Sequence, residues 1–215
     1  MRTILTTAMK IDRIETSKHK KGRILLFLSD GTCLNITERE CLDFALHSGD
    51  ELSDETLSQI QAAASISRVK AKAVELIGKR AMSRRDLERK LKEKGASERE
   101  VQDTVEWLES VGAIDDAGYA ELLVRHYSQM GYGAARIRDK LYEKGVPRAL
   151  WDDALDTLPP QDGQIDRFLE TKLRGRIPDE QEKRRLTNAL LRRGFSWHNV
   201  KAAWSRVGTE IDGGW

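Results

Sequence analysis

A repeat about fifty residues long is the feature that most constrains how this 215-residue chain can fold. Two apolar residues four positions apart, with a glycine four positions further on, recur at spacings of 50 and 49 residues. The copies occupy residues 87–95, 137–145 and 186–194, and the series continues with Val101, Trp151 and Val200 and with Val105, Leu155 and Trp204. Five aligned positions in three copies indicate structurally equivalent units that stack on their neighbours.

Each copy has the pattern of a helix. Apolar residues at i and i+4 share one helix face, and the glycine suits the left-handed position just after a helix end. A basic residue precedes each glycine, and its positive charge interacts favourably with the negative end of the helix dipole (Lys94, Lys144 and Arg193). We expect further helices upstream, over residues 73–80, 119–130 and 165–173, and downstream, after a capping box at 97–100, Pro147 and Ser196.

The chain is therefore predicted to be mainly α, with three tandem three-helix repeats. The predicted boundaries are residues 1–72 for an N-terminal segment of strands plus helices, 73–114, 115–160 and 161–207 for the repeats, and 208–215 for a fraying tail. Asp115 and Asp116 are interpreted as the cap of the second repeat, not as a metal site. Trp151 and Trp204 are predicted to lie in the core. For Trp197 and Trp215, stacking on nucleic-acid bases remains an alternative role.

The N-terminal segment has the pattern of strands. Residues 11–16 alternate apolar and polar, and two β-prone runs, 23–28 and 32–36, flank an Asp30-Gly31 turn typical of a hairpin. Three such strands form a β-meander too small to be stable alone, so it must dock on something. Thr37 opens a capping box and Ser53 or Asp54 begins a further helix, with a break near Ser65 or Ser67 left open.

Composition excludes several classes of function. Charged residues make up 33% of the chain and aromatic residues 6%, which suits thin helical layers. No apolar run approaches the ~18 residues of a membrane span, and residues 1–5 do not resemble a secretory signal, so a cytoplasmic protein is expected. Cys33, Cys41 and four scattered histidines do not form a metal-binding pattern, and no catalytic set or nucleotide loop is visible. We expect neither an enzyme nor a bound cofactor.

The middle helix of each repeat is basic beside its apolar stripe. This pattern predicts a surface that meets phosphates or an acidic protein groove. The candidate residues are Arg84, Arg85, Arg89 and Lys92 in the first repeat, Arg136, Arg138 and Lys140 in the second, and Lys183, Arg184, Arg185, Arg192 and Arg193 in the third. The alternative is a solvated helix face with i,i+4 ion pairs, such as Arg89 with Glu93. The two interpretations are balanced at this point.

Three motifs carry a resemblance to a known family. They are SRRDLERKLKEKG at 83–95, GAIDDAGYA at 112–120 and GYGAARIRDKLYEKGV at 131–146. In their order and residue pattern they resemble the motifs of the RecX family of bacterial RecA regulators, over about residues 73–204. The chain departs from the family pattern in the basic pair Arg84-Arg85 and in a more divergent third copy at 186–194.

This resemblance implies a curved, elongated rod of three helical units that lies in the helical groove of the RecA–single-stranded-DNA filament. Such a protein inhibits the recombinase, ATPase and coprotease activities of RecA, and so acts in homologous recombination, DNA repair and the SOS response. The implied partners are the RecA filament and the single-stranded DNA within it, without a membrane, and we expect a monomer. The N-terminal strands are predicted to dock as an added module, with the 18–23 turn as an extra contact.

Two other functions fit the same residues. The basic middle helices suit an autonomous DNA-binding module, which would bind DNA tightly without RecA and with a steep salt dependence. The sorting of charge along the chain also suits a helical scaffold for some other protein, since residues 79–94 hold 8 basic and 3 acidic residues and residues 97–116 hold 1 basic and 7 acidic.

Overall fold

The structure, a computed structural model, describes residues 9–208. These residues form two compact units. The N-terminal unit comprises residues 9–80 and 88–108, and the C-terminal unit comprises residues 81–87 and 109–208. The expectations for residues 1–5, for Trp215 and for all of the tail beyond Gly208 lie outside the described residues.

An antiparallel sheet opens the N-terminal unit, and its first three strands confirm the predicted meander. A fourth strand of two residues pairs with the first and was not predicted, because two residues carry no readable periodicity. At the Asp30-Gly31 turn, Gly31 has a positive φ and the Asp30 carboxylate accepts the N–H of Thr32 at 2.8 Å. The sheet order is β3-β2-β1-β4, with β1 Met9–Thr16, β2 Arg23–Leu28, β3 Cys33–Thr37 and β4 Glu51–Leu52.

Two helices follow the strands in this unit. The predicted capping box at Thr37 begins α1 (Glu38–Asp43), and the Ser53 hydroxyl caps α2 (Asp54–Lys79). Helix α2 runs for 26 residues without a break at Ser65 or Ser67, because no glycine or proline interrupts it before its last turn. It packs on β3 and supplies Ile60 to the core under the sheet, so the meander is stabilised by the helix that leads into the first repeat.

The three repeats are each built of three helices, as predicted. The repeat glycines 95, 145 and 194 have φ values of +85°, +74° and +89°, so each ends its middle helix in the left-handed conformation. Helix α2 precedes the first middle helix, and the others are α3 Arg84–Glu93, α4 Glu98–Ser110, α5 Asp116–Gln129, α6 Ala134–Glu143, α7 Trp151–Asp156 with a 3₁₀ turn at Arg148–Leu150, α8 Asp162–Leu173, α9 Glu180–Arg192 and α10 Trp197–Arg206.

The apolar repeat positions form the cores of the second and third repeats. Leu141 and Leu190 are fully buried in their respective clusters. Trp204 is also fully buried and donates its indole N–H to the Thr187 hydroxyl at 2.9 Å. Trp151 packs against the second cluster but stays half-buried, since its indole N–H reaches the carbonyl of Val146 at the cluster edge at 3.0 Å.

Within the C-terminal unit, the start of one middle helix docks on the end of the next. The N–H of Gly133, just before α6, donates to the carbonyl of Arg193 at 2.8 Å. The equivalent contact before α3 uses a side chain, because the buried Ser83 hydroxyl donates to the carbonyl of Lys144 at 2.6 Å. At each junction a carbonyl at the end of one middle helix, which that helix leaves unsatisfied, accepts a hydrogen bond from the residue just before another middle helix. The negative end of one helix dipole therefore lies near the positive end of another.

Alanine at the three repeat glycines should measure how much the junctions contribute to stability. A side chain at Gly194 would collide with the backbone N of Arg136, one at Gly145 would come within 3.1 Å of the Ser83 hydroxyl oxygen, and one at Gly95 would meet nothing. The left-handed strain of about 1 kcal/mol is common to all three. We expect Gly194→Ala to lower the free energy of unfolding by about 3 kcal/mol more than Gly95→Ala does, with Gly145→Ala between them. Urea and thermal unfolding measure these losses. Equal losses of stability at all three positions would show that the junctions do not contribute to stability.

Candidate functional site

Most of the twelve predicted basic residues hold an acidic neighbour. The Arg89 guanidinium lies 2.5 Å from the Glu93 carboxylate, which is the ion pair of the solvated-face interpretation. Exposed pairs of this kind contribute little to stability and exchange readily for another anion. The other pairs are Lys92–Glu98 at 2.7 Å, Arg136–Asp139 at 3.3 Å, Arg138–Asp152 at 3.4 Å, Lys140–Glu143 at 2.6 Å, Lys183–Glu180 at 2.7 Å and Arg185–Glu182 at 3.5 Å.

Arg84 is engaged in positioning the first turn of α3. Its guanidinium lies 2.7 Å from the Glu109 carboxylate, and its backbone N–H donates to the Asp116 carboxylate at 2.8 Å. Asp115, not Asp116, caps α5, by accepting the N–H groups of residues 117 and 118. The Asp115-Asp116 pair therefore confirms the predicted cap and adds an unpredicted link to α3.

The predicted residues differ in how far they reach the surface. The side chains of Lys140 and Lys183 are only 21% and 12% exposed, so they offer little charge to a partner. Arg193 is exposed, with its guanidinium 4.8 Å from the ring centre of Phe168. The other exposed candidates are Arg85, Arg89, Lys92, Arg138, Arg184, Arg185 and Arg192. Accessible basic side chains therefore lie along α3, in the second turns of α6 and α9 and at the end of α9.

The junctions bring some of these residues together. Arg85 lies against Gly145, next to Lys144, since a Cβ built on Gly145 falls 3.2 Å from the Arg85 Cβ. At the other junction the backbone of Arg136 lies against Gly194, next to Arg193. Each junction thus places a basic residue from the start of one middle helix beside a basic residue that ends the following one. Arg89 and Lys92 belong instead to the N-terminal unit.

A basic cleft in the N-terminal unit was largely missed by the sequence analysis. Its cations come from the turn between β1 and β2, from α2 and from the end of α3. The 18–23 turn was predicted as an extra contact, but Arg68 and Lys72 were not singled out. Their i,i+4 spacing on α2 was the signal that could have pointed to them.

Two further findings concern what residues 9–208 do not contain. None of the helices in this range combines the length and the apolar character that crossing a bilayer requires. Over the same residues, no three His, Cys, Asp or Glu side chains are grouped as the ligands of a metal ion would be. Cys33 and Cys41 are separate thiols.

Comparison with known proteins agrees with this arrangement. The family model for the first three-helix domain of RecX matches residues 70–108, and the model for the second matches residues 115–155. A Pseudomonas putida protein named "Regulatory protein RecX" is 33% identical over 129 residues, which span 59% of this chain and 83% of that protein. The chain belongs to the RecX family.

The similarity to RecX proteins extends beyond the repeats. "Regulatory protein RecX" of Oceanobacillus iheyensis is 26% identical over 196 residues, or 86% of this chain and 72% of that one. A crystal structure of regulatory protein RecX matches with a TM-score of 0.72 and 26% identity, covering 92% of this chain and 99% of the other. Because 92% exceeds the share of the chain after residue 80, this RecX structure includes a counterpart of at least part of the N-terminal sheet unit.

The link between Asp116 and α3 predicts an unusual pH dependence. Burial raises the pKa of the Asp116 carboxyl above its usual 3.8, the negative charge of Glu109 adds to the rise, and the Arg84 N–H opposes it. In the window between 3.8 and the raised pKa, the folded state holds a proton that the unfolded state has lost. The contribution of Asp116 to stability therefore falls as the pH rises through this window.

Asp116→Asn keeps an acceptor for the Arg84 N–H and removes this titration. We expect the free energy of unfolding of the variant, minus that of the unmodified protein, to be larger at about pH 7 than at about pH 3. Urea unfolding followed by circular dichroism measures this difference. Glu75→Gln is the control of opposite sign, because hydrogen bonds from Lys72 and Lys79 lower the pKa of Glu75 from 4.5 to about 2. The same pH trend in both variants would contradict the assignment.

Proposed function

We propose that this RecX-family protein binds the RecA–single-stranded-DNA filament in its helical groove and inhibits the recombinase, ATPase and coprotease activities of RecA. It acts as a monomeric cytoplasmic regulator, not as an enzyme, in homologous recombination, DNA repair and the SOS response. The relatives described above are named regulatory proteins, which supports the regulatory part of this proposal.

The repeated end-to-end junction is the observation that carries the proposal. It places a basic residue near the start of one middle helix beside the basic residue that ends the next, Arg85 beside Lys144 and Arg136 beside Arg193. Lys144 and Arg193 are equivalent repeat positions, and Arg136 lies one residue further along its repeat than Arg85 does. A filament presents identical protomers and phosphates at regular intervals, so one kind of contact is made more than once. Linked contacts of this kind raise the overall affinity well above that of each contact alone. A periodic protein surface therefore suits a periodic partner.

The exposed arginines supply the contacts in this proposal, and the covered cations hold the helices that present them. Arg84, Lys140 and Lys183 belong to the second group. The first group consists of Arg85, Arg89, Arg138, Arg184, Arg185, Arg192 and Arg193. Surface ion pairs such as Arg138–Asp152 at 3.4 Å are weak enough to open when a phosphate or a carboxylate of the partner replaces the intramolecular one.

Inhibition then requires no chemistry by this chain. A ligand shifts an assembly equilibrium by the difference in its affinity for the two states. Binding that favours an inactive or dissociating filament lowers RecA activity by mass action, and a tenfold preference corresponds to about 1.4 kcal/mol. The basic surface supplies attraction to the DNA-bearing groove, and the acidic helix α4 offers a surface of opposite sign to the protein part of the partner.

Autonomous DNA binding is the second candidate function, and the basic cleft of the N-terminal unit favours it. It differs from the first in requiring tight binding to DNA in the absence of RecA. A scaffold for another protein is distinguished by the absence of any effect on RecA.

The DNA-dependent ATPase of RecA tests the proposal. We expect stoichiometric protein to suppress ATP hydrolysis on single-stranded DNA, and Arg85→Ala/Arg89→Ala to need about tenfold more protein for the same effect, since charged contacts at a groove contribute roughly 1 kcal/mol or more together. Arg39→Ala/Arg167→Ala is the matched control, because it removes the same charge from exposed side chains that lie outside both the middle helices and α4.

Two outcomes would count against this function. If stoichiometric protein leaves the ATPase and strand exchange of RecA unchanged, filament regulation is wrong for this chain. If the control variant weakens inhibition as much as Arg85→Ala/Arg89→Ala does, net charge explains the effect and the middle helices are not the contact.

A further inference from the structure

The N-terminal unit contains a cleft of about 600 Å³ with an unusual excess of positive charge. Three segments that are distant in the sequence form it: the turn between β1 and β2, the middle of α2 and the end of α3. Its cations are Lys20, Lys21, Arg23, Arg68, Lys72 and Lys94. None of them is among the twelve basic residues predicted on the middle helices.

Among the described residues that line the cleft, the cations outnumber the one carboxylate by six to one. Glu75 is the acidic residue of the lining, and it lies 2.7 Å from the ammonium group of Lys72 and 2.6 Å from that of Lys79. For Lys20, Lys21 and Lys94, no carboxylate within residues 9–208 lies at ion-pair distance. Like charges gathered in one concavity raise the local potential and attract an anion. The middle helices differ, because most of their cations already have an acidic neighbour.

The donors that remain available to an anion in the cleft are mainly lysine ammonium groups. The guanidinium of Arg23 donates to the hydroxyl of Ser67 at 3.1 Å and to its carbonyl at 3.3 Å, and that of Arg68 donates to the Ser65 hydroxyl at 3.2 Å. The fork of an arginine matches carboxylates and phosphates alike through paired hydrogen bonds, and in both residues at least one donor of the fork is already engaged by α2. The cations that remain are lysine ammonium groups, which bind phosphates as point charges in many orientations.

The rest of the lining excludes recognition of bases. Val69, Ala71, Leu91 and Ala96 form its apolar part, and no aromatic ring is present among the described lining residues. Base stacking on aromatic side chains is how single-strand binders hold bases, so this cleft lacks that means. Contact is limited to the sugar–phosphate backbone and is independent of base sequence.

We propose that this cleft binds the phosphodiester backbone of a nucleic acid strand, through Lys20, Lys21 and Lys94. The repeat gives this position a further meaning. The ends of α6 and α9 receive the start of the preceding middle helix, whereas the equivalent end of α3, at residues 94–96, lines the cleft instead. The proposal stands apart from filament binding, because it concerns DNA contact in the absence of RecA.

Fluorescence anisotropy of the full-length protein with a labelled oligothymidylate tests the site. We expect Lys20→Gln/Lys21→Gln/Lys94→Gln to weaken binding about tenfold at about 0.1 M salt and to make the slope of log affinity against log salt shallower by about 2, since each phosphate contact to a single strand contributes roughly 0.7. Lys10→Gln/Lys172→Gln/Lys201→Gln removes the same charge outside the cleft and should leave the slope unchanged. Matching thermal unfolding of both variants excludes misfolding.

The arms of this experiment separate the possible ligands. If the cleft variant loses affinity for single-stranded DNA only, the ligand of the cleft is a single strand. If it loses as much affinity for a duplex of the same length, the cleft binds the backbone of either form. Inorganic polyphosphate should displace the labelled DNA, and poly-L-glutamate at equal charge should not. Displacement by poly-L-glutamate as effective as that by polyphosphate would overturn the proposal in favour of an acidic protein segment.

Equal DNA affinity and salt slope in the cleft variant and its control would also overturn it. The RecA ATPase assay reports separately on the proposed function. A cleft variant that loses DNA binding but still inhibits RecA supports this site and leaves filament regulation intact. Loss of inhibition by the Arg85→Ala/Arg89→Ala variant, with DNA binding retained, assigns the two activities to different surfaces.

Discussion

Helix ends leave backbone N–H and C=O groups without partners, and in this protein two pairs of helix ends satisfy each other. The Gly133 N–H meets the Arg193 carbonyl, and the Ser83 hydroxyl meets the Lys144 carbonyl while accepting the N–H of Asp86. Several other features follow from this contact. It requires a backbone without a side chain at Gly194, it buries Ser83, and it sets a basic residue from one helix start beside a basic residue from the next helix end at both junctions.

The N-terminal sheet depends on the repeats through α2. A small sheet with one apolar face is not stable alone, and here Ile60 of α2 completes the core formed by strand residues such as Ile11 and Leu26. The same helix continues to Lys79 and buries Val69 and Ala73 further along. Because one unbroken helix packs on the sheet and continues into the first repeat, destabilising the end of α2 should also destabilise the sheet. The basic cleft depends on this helix too, since Arg68 and Lys72 lie on it.

Local patterns allowed much of this fold to be predicted. The helix-ending glycines, the caps at Thr37, Ser53 and Asp115 and the Arg89–Glu93 pair all depend on residues within a few positions of each other. Long-range contacts were not predictable, since nothing near Ser83 in the sequence indicates the Lys144 carbonyl as its partner. The cleft was missed for the same reason, because its cations come from positions near 20, 70 and 94. The placement of twelve basic residues on the middle helices was predictable, but their different exposure depends on tertiary packing.

The start of α9 differs from the starts of the other two middle helices in its position within the repeat. Helix α9 begins one turn earlier in the repeat, and the Asp179 carboxylate caps it by accepting the N–H of Glu182 at 2.6 Å. Glu182 occupies the position that Ser83 and Gly133 hold in the other repeats, and here it lies inside the helix. Among residues 9–208, the first turn of α9 is thus satisfied by a cap from its own segment, whereas α3 and α6 begin with residues that also bond the end of another helix.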